Sequence, residues 1–293
     1  MHAATGSERL VEVWLVKLWD CAEALESEEA RHPRLSDDDL IRINDLKHPE
    51  TRRQRRLAAI ALRRLLAWYV GTDRYDRMPF QRRPGGRPVV GDGKVAFSLS
   101  HSGGQALIAL GTVGALGVDL EPLRTLRMPV ERQLALVQAA SFLPADPPLA
   151  DDPALTLPEG TPTATSSSVK SVGAILDAVS TEQVLQAWVR LEAIAKAHGG
   201  GIGPLLTAAG VIGAPHGQET SRGNISAAEL SRRTMAVRAH ARGLAVRDLD
   251  LPSAKSAAGT ASAWFAALAC DANALRPQTP SVRNLDAEMI SGG

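Results

Sequence analysis

Residues 94–121 read KVAFSLSHSGGQALIALGTVGALGVDLE. Lys94–Leu99 and Gln105–Leu110 are apolar pieces of strand length, joined by the turn Ser100-His101-Ser102-Gly103-Gly104. Leu116–Leu120 is a third strand, bounded by glycine. On the N-terminal side, Leu10–Trp19 (LVEVWLVKLW) sets Val11, Val13 and Leu15 on one face and Glu12, Trp14 and Val16 on the other, a further strand. The polar stretch Glu23–Asp39 closes on Leu35-Ser36-Asp37-Asp38-Asp39, which reads as a helix start. Pro49 then opens a helix to Val70 with Leu57, Ile60, Ala61, Leu65 and Trp68 at helical spacing, and Gly71 stops it. Pro84-Gly85-Gly86-Arg87-Pro88 is a loop by composition.

On the C-terminal side, Pro144–Ser168 is rich in Pro, Ala, Thr, Ser and Asp and reads as a flexible insert, with order resuming near Val172. Ser180 and Gln183 form a capping box for a helix running through Trp188 to His198 and ended by Gly199-Gly200-Gly201. Met235–Ala239, Leu244–Leu249 and Trp264–Ala269 read as short strands before a polar tail. The expected class is therefore α+β in two portions split near Thr112–Gly117. The N-terminal half is 1–113, with the Arg-rich helix and the Ser-His-Ser turn. The C-terminal half is 114–293, with the acidic strand and the Glu/Lys helix.

Composition narrows the function. The 293 residues are 44% hydrophobic and 22% charged, enough to bury a sizeable core. Lys and Arg number 33 against 32 acidic residues, a net charge of +1, so no whole-molecule field points to nucleic acid or to an anionic membrane. No apolar run reaches the ~18 residues of a spanning helix. Met1–Arg9 lacks the layout of a secretory signal. Cys21 and Cys270 form neither a disulfide nor a zinc pattern, which places the expected setting in a reducing cytoplasm.

Four stretches carry candidate chemistry. In Gly117-Val118-Asp119-Leu120-Glu121 the period of a strand projects both carboxylates together, an arrangement that a hard cation such as Mg²⁺ relieves. A strand end emerging into solvent is the plain alternative. In Trp188–Lys196, Glu192 and Lys196 stack four apart, either as an ordinary surface pair or, with Trp188 on the same face, as part of a half-buried site. Ser100-His101-Ser102 offers hydroxyl and imidazole groups suited to phosphate, although a lone turn histidine is more often plain surface. The Gly-x-Ser-x-Gly spacing of a nucleophile elbow is missing. Arg52, Arg53, Arg55, Arg56, Arg63 and Arg64, with Arg42 upstream and Arg82, Arg83 and Arg87 downstream, match phosphate in their fork geometry. A solvated helix face is the alternative, and no DNA-binding spacing appears.

In their order along the chain these stretches resemble the 4′-phosphopantetheinyl transferases of the longer, two-halves type, the surfactin-synthetase-activating kind. That family's signatures correspond to Gly86-Arg87-Pro88, Phe97-Ser98-Leu99-Ser100-His101-Ser102, Gly117-Val118-Asp119-Leu120-Glu121, and Trp188–Lys196 followed by Gly201-Ile202-Gly203. The resemblance covers about residues 10–270. It implies two similar halves related by a pseudo-twofold, with coenzyme A in the cleft between them. It further implies a holo-[carrier protein] synthase that moves 4′-phosphopantetheine to a serine of an acyl, peptidyl or aryl carrier protein, releasing 3′,5′-ADP. By position, Asp119, Glu121 and Glu192 correspond to ligands of Mg²⁺ (or Mn²⁺), with Glu192 also the base. Lys196 would steady the transferring phosphate. Ser100 and His101 would grip the 3′-phosphate, Arg42 and Arg55 would be basic phosphate contacts, and Arg87 with Pro88 would wall the adenine side. The expected partners are coenzyme A and a carrier protein, with no nucleic acid and no membrane, and the expected state is a monomer.

Three departures stand out: Leu191 where the family has lysine, an aromatic element reduced to Ser141-Phe142-Leu143 without a clear glutamate, and the 144–168 insert. Two other classes compete: a divergent coenzyme A or carrier-protein binder with little turnover, and a nucleic-acid module built on the Arg-rich helix.

Overall fold

The computed structural model describes residues 11–82, 87–143, 179–212, 227–252, 263–275 and 280–291. The expected insert at 144–168 and the start of order near Val172 lie outside the described residues. So do Gly85 and Gly86.

Two antiparallel-rich sheets form the centre. The first has the order β4-β5-β1-β9, from Ala96–Ser102, Gln105–Gly111, Val11–Lys17 and Val282–Leu285, with β9 parallel to β1 and the other pairs antiparallel. The second is β6-β8-β7, from Leu116–Pro122, Trp264–Asp271 and Leu244–Asp248, all antiparallel. A two-stranded ribbon joins β2 (Gln81–Arg82) to β3 (Pro88–Val89).

Alternation along the strands builds three apolar layers. Trp14, Val16, Ile108 and Leu110 face helices α1 (Ala22–Arg31) and α3 (Pro49–Val70). Val13, Leu15, Leu107 and Ala109 face Val118, Leu120, Leu268 and Cys270 of the second sheet. The far side of that sheet, with Val246, Ala267 and Ala269, is covered by α4 (Val130–Ser141) and by α5 (Thr181–His198). Helices α6 (Ile202–Ala208) and α7 (Ala227–His240) pack beside α5. Cys21 and Cys270 are buried and free, and burial pushes their thiols up to about 11 and about 12.

Local chemistry sets the element ends as the sequence led one to expect. Ser36 and Asp39 form a reciprocal capping box at α2 (Asp37–Asn44), Ser180 and Gln183 one at α5, and Gly71 ends α3 at φ +70°. Three expectations are corrected. Ser100, His101 and Ser102 belong to β4, and the turn is only Gly103-Gly104. Met235–Ala239 is not a strand but the last part of α7, because Val237 and Ala241 repeat on a helical face while five alternating residues are too short to fix a period. The polar tail is structured: β9 pairs with β1, and α8 (Ala287–Ser291) returns to α1, burying Leu285 and Ile290 against the first sheet and its helices.

Candidate active site

The site is assembled where β4, β6 and α5 meet. β6 and β4 are edge strands of different sheets, and their edges are joined by serine side chains. Ser98 Oγ accepts from the Val118 amide at 3.0 Å, Ser100 Oγ donates to Asp119 Oδ1 at 2.7 Å, and Ser102 Oγ donates to Glu121 Oε2 at 3.4 Å. Because Val118 and Leu120 point into the inter-sheet layer, Gly117, Asp119 and Glu121 face the other way, toward α5. A Cβ on Gly117 would sit 2.0 Å from the Ala193 carbonyl oxygen and 2.5 Å from the Ala197 nitrogen. The glycine of this stretch is thus the point at which helix backbone touches strand backbone, and that contact brings Glu192 and Lys196 to the acidic strand.

Lys196 Nζ donates to Asp119 Oδ1 at 2.8 Å. Asp119 is only 4% exposed, and its Oδ2 is buried without a hydrogen-bond partner, as is Glu192 Oε2. Desolvation raises the Glu192 pKa; Lys196 opposes this, while Asp119 and Glu121 add to it. Glu121 is paired with Arg124 at 3.3 Å. Among the described residues, no three His, Cys, Asp or Glu side chains are grouped closely enough to hold a metal ion between them. The donor set nevertheless fits a hard cation in its chemistry: it is all oxygen, two of the oxygens lie buried without a donor, and the carboxylates repel one another.

Beside the carboxylates lies a cavity of about 280 Å³. Arg42 of α2, Arg55 of α3, Arg82, Arg87 and Lys196 line it, with Pro88 of β3, Phe80 and Phe97 as apolar wall. Its one lining carboxylate, Asp39, is engaged by the 2%-exposed Arg63, whose Nε and Nη2 reach Asp39 Oδ2 at 3.0 and 2.6 Å. The cavity is therefore cationic and suits a polyanion with a flat apolar part. His101 does not line it but touches the lining through Arg55, its Nε2 3.2 Å from Arg55 Nη1. Burial, then Arg55, then Lys196 push the imidazole down to about 4. Burial and the neighbouring Arg42 and Arg82 also lower the Arg55 pKa. Lys196 is shared by the cavity and the carboxylates.

Most of the other arginines of α3 are occupied elsewhere. Arg52 donates to the Leu46 carbonyl, Arg56 to Glu26, Arg63 to Asp39, and Arg64 to Glu28 and the Met289 carbonyl. Arg53 stacks over Trp19. Of the arginines of this helix only Arg55 lines the cavity. Leu191 is fully buried in the α5 core, and Arg190 is held by Asp248 on the outside. The departure at 191 thus removes no group from the site. Arg82, in the sequence one more member of an arginine run, is a lining residue of the cavity, whereas nothing in the sequence ties Arg124 to Glu121.

Fold and site together set an arginine- and lysine-lined cavity beside the carboxylates of Asp119, Glu121 and Glu192. Over 94 residues, 31% of its length, the chain is 36% identical to the 4′-phosphopantetheinyl transferase HetI of Nostoc sp.. That stretch spans 39% of the relative. No family model matches. No helix among the described residues is long and apolar enough to cross a membrane.

Proposed function

We propose that the protein transfers 4′-phosphopantetheine from coenzyme A to a carrier-protein serine. The observation that carries this reading is the junction at Lys196: four arginines and a lysine line one cavity, and the same lysine touches a buried carboxylate whose second oxygen has no partner. Similarity to the Nostoc transferase supports it.

In this reading the 3′-phosphate and pyrophosphate of coenzyme A lie along Arg42, Arg55, His101 and Lys196, with the adenine against Pro88 and Arg87. Asp119, Glu121 and Glu192 would hold Mg²⁺ or Mn²⁺. Bound there, the ion supplies neutralisation of the negative charge that builds on the pyrophosphate. Glu192, whose pKa burial raises, takes the proton of the carrier serine hydroxyl. The serine oxygen bonds to the pantetheine-side phosphorus, the phosphorus–oxygen bond to 3′,5′-ADP breaks, and Lys196 stabilises the departing oxygen. The internal engagement of most α3 arginines argues against the nucleic-acid reading. The incompletely closed carboxylates favour, as second reading, a coenzyme A binder with little turnover.

Incubating the full chain with coenzyme A, Mg²⁺ and several apo-carrier proteins, then weighing the carriers, tests the proposal. A phosphopantetheine mass gain is expected. Coenzyme A binding without any mass gain, where a known transferase succeeds in parallel, would select the second reading.

A further inference from the structure

The stretch Ser98–Ser102 invites reading as one phosphate grip, but as a strand it divides. His101 and Phe97 face α3 and the cationic side, whereas Ser98, Ser100 and Ser102 turn their hydroxyls to β6; of the three serines only Ser98 also lines the cavity. Ser100 is 7% exposed, and its hydroxyl points at Asp119 Oδ1, the oxygen that also receives Lys196. Two donors on Oδ1 fix the carboxylate's rotamer and leave Oδ2 as its only oxygen without a donor. A carboxylate oxygen buried in that state is costly unless a cation completes it.

We infer that Ser100 is a positioning residue for Asp119, leaving Oδ2 as the oxygen that would meet a cation, and that it is not a contact of the 3′-phosphate. The inference rests on the metal role proposed above for Asp119. It also assigns β4 a coupling role: one strand carries the anion-facing histidine and, on its opposite face, the hydroxyl that orients a metal-binding carboxylate. Ser98 supports this by fixing the register of β4 against β6 at the Val118 amide.

The test uses the full chain as wild type, Ser100→Ala, Ser100→Thr and His101→Ala. Two quantities are measured: Mn²⁺ affinity, from the free-ion paramagnetic resonance signal, and the ratio of calorimetric Kd values for coenzyme A and 3′-dephospho-coenzyme A. Ser100→Ala is expected to weaken Mn²⁺ binding about 10- to 100-fold, the usual cost of losing a partner that orients a ligand, with the cofactor ratio unchanged. Ser100→Thr, which keeps the hydroxyl, should restore most of the Mn²⁺ affinity. His101→Ala should reduce the cofactor preference and leave Mn²⁺ binding near wild type. Should Ser100→Ala fail to fold, the near-isosteric Ser100→Cys, a weak donor, carries the same expectation. A collapsed cofactor ratio with unaltered Mn²⁺ affinity, or no change in either quantity, overturns the inference alone. Absence of Mn²⁺ binding by the wild type overturns the metal role and the inference together.

Discussion

The fold perturbs the ionisation of His101 and of Glu192 in opposite senses. The imidazole is depressed from 6.5 to about 4, by burial first and then by Arg55 and Lys196. Between those values the unfolded chain binds more protons than the folded one, so this group makes stability rise with pH from about 4 to 6.5, by on the order of 3 kcal/mol. Glu192 acts oppositely: its raised pKa means the fold holds its proton longer, so its contribution falls as pH rises above 4.5. Urea midpoints at pH 5 and pH 7 should therefore differ less in His101→Gln than in the wild type. A polyanion against Arg55 reverses the bias on the imidazole, so binding of coenzyme A near pH 5.5 should take up a proton. Calorimetry in two buffers of different ionisation heat reads that uptake, and it should vanish in His101→Gln. Glu192→Gln removes the proton acceptor while the cationic lining persists. Turnover should fall at least about 100-fold with coenzyme A affinity within a few-fold of wild type, as separated by single-turnover mass analysis and calorimetry.

At the scale of elements, the decisive contact is α5 on β6. Helix backbone meets strand backbone at Gly117, where even one methyl group has no room. Gly117→Ala must push α5 outward or twist β6. The expected cost is about 1–3 kcal/mol, the range of core overpacking, read from the denaturant midpoint. Because Asp119 and Lys196 are separated in the same movement, their link should also weaken, and Mn²⁺ affinity should drop even where the variant remains folded. Helix α1 illustrates a different kind of packing. Its buried positions include Glu28 and Glu29 as well as Ala22 and Leu25. Glu28 is met by Arg31, Arg34 and Arg64, and Glu29 accepts the Arg34 and Leu35 amides. Such a helix carries no apolar stripe, which is why its residues read as a polar stretch.

The whole molecule is closed by its C-terminal segment. β9 adds a parallel strand beside β1, Cys21 Sγ lies 3.4 Å from the Leu285 carbonyl, Arg64 donates to the Met289 carbonyl, and Ile290 is fully buried. The tail thus covers the sheet that carries β4 and, through it, His101 and Ser100. Ile290→Ala should cost about 2–5 kcal/mol, as for other buried large-to-small changes. Thermal melting should show the loss, and hydrogen exchange should locate it in β1, α1 and α3 more than in α5. Protection loss centred instead on α5 and β8 would contradict this assignment of the tail.

Much of the molecule was legible before any tertiary contact was known. Periodicity and end chemistry are local, so the alternation of Val11–Lys17, the helix from Pro49 to Val70, and the capping pair Ser180 and Gln183 declare themselves within a few residues. The candidate groups were legible too, because Asp119 with Glu121 and Glu192 with Lys196 are spaced for shared faces. What tertiary structure alone decided is where those faces point and what already occupies them. Arg56, Arg63 and Arg64 of α3 are engaged by Glu26, Asp39, Glu28 and the Met289 carbonyl, 24 to 225 residues away, leaving Arg55 for the cavity. Three serines that look like neighbours of a histidine turn from it to join two sheet edges. A tail without an apolar run of its own becomes a strand because β1 has an open side. Each of these depends on partners tens to hundreds of residues distant, and a local pattern holds no record of which distant donor will satisfy a buried oxygen.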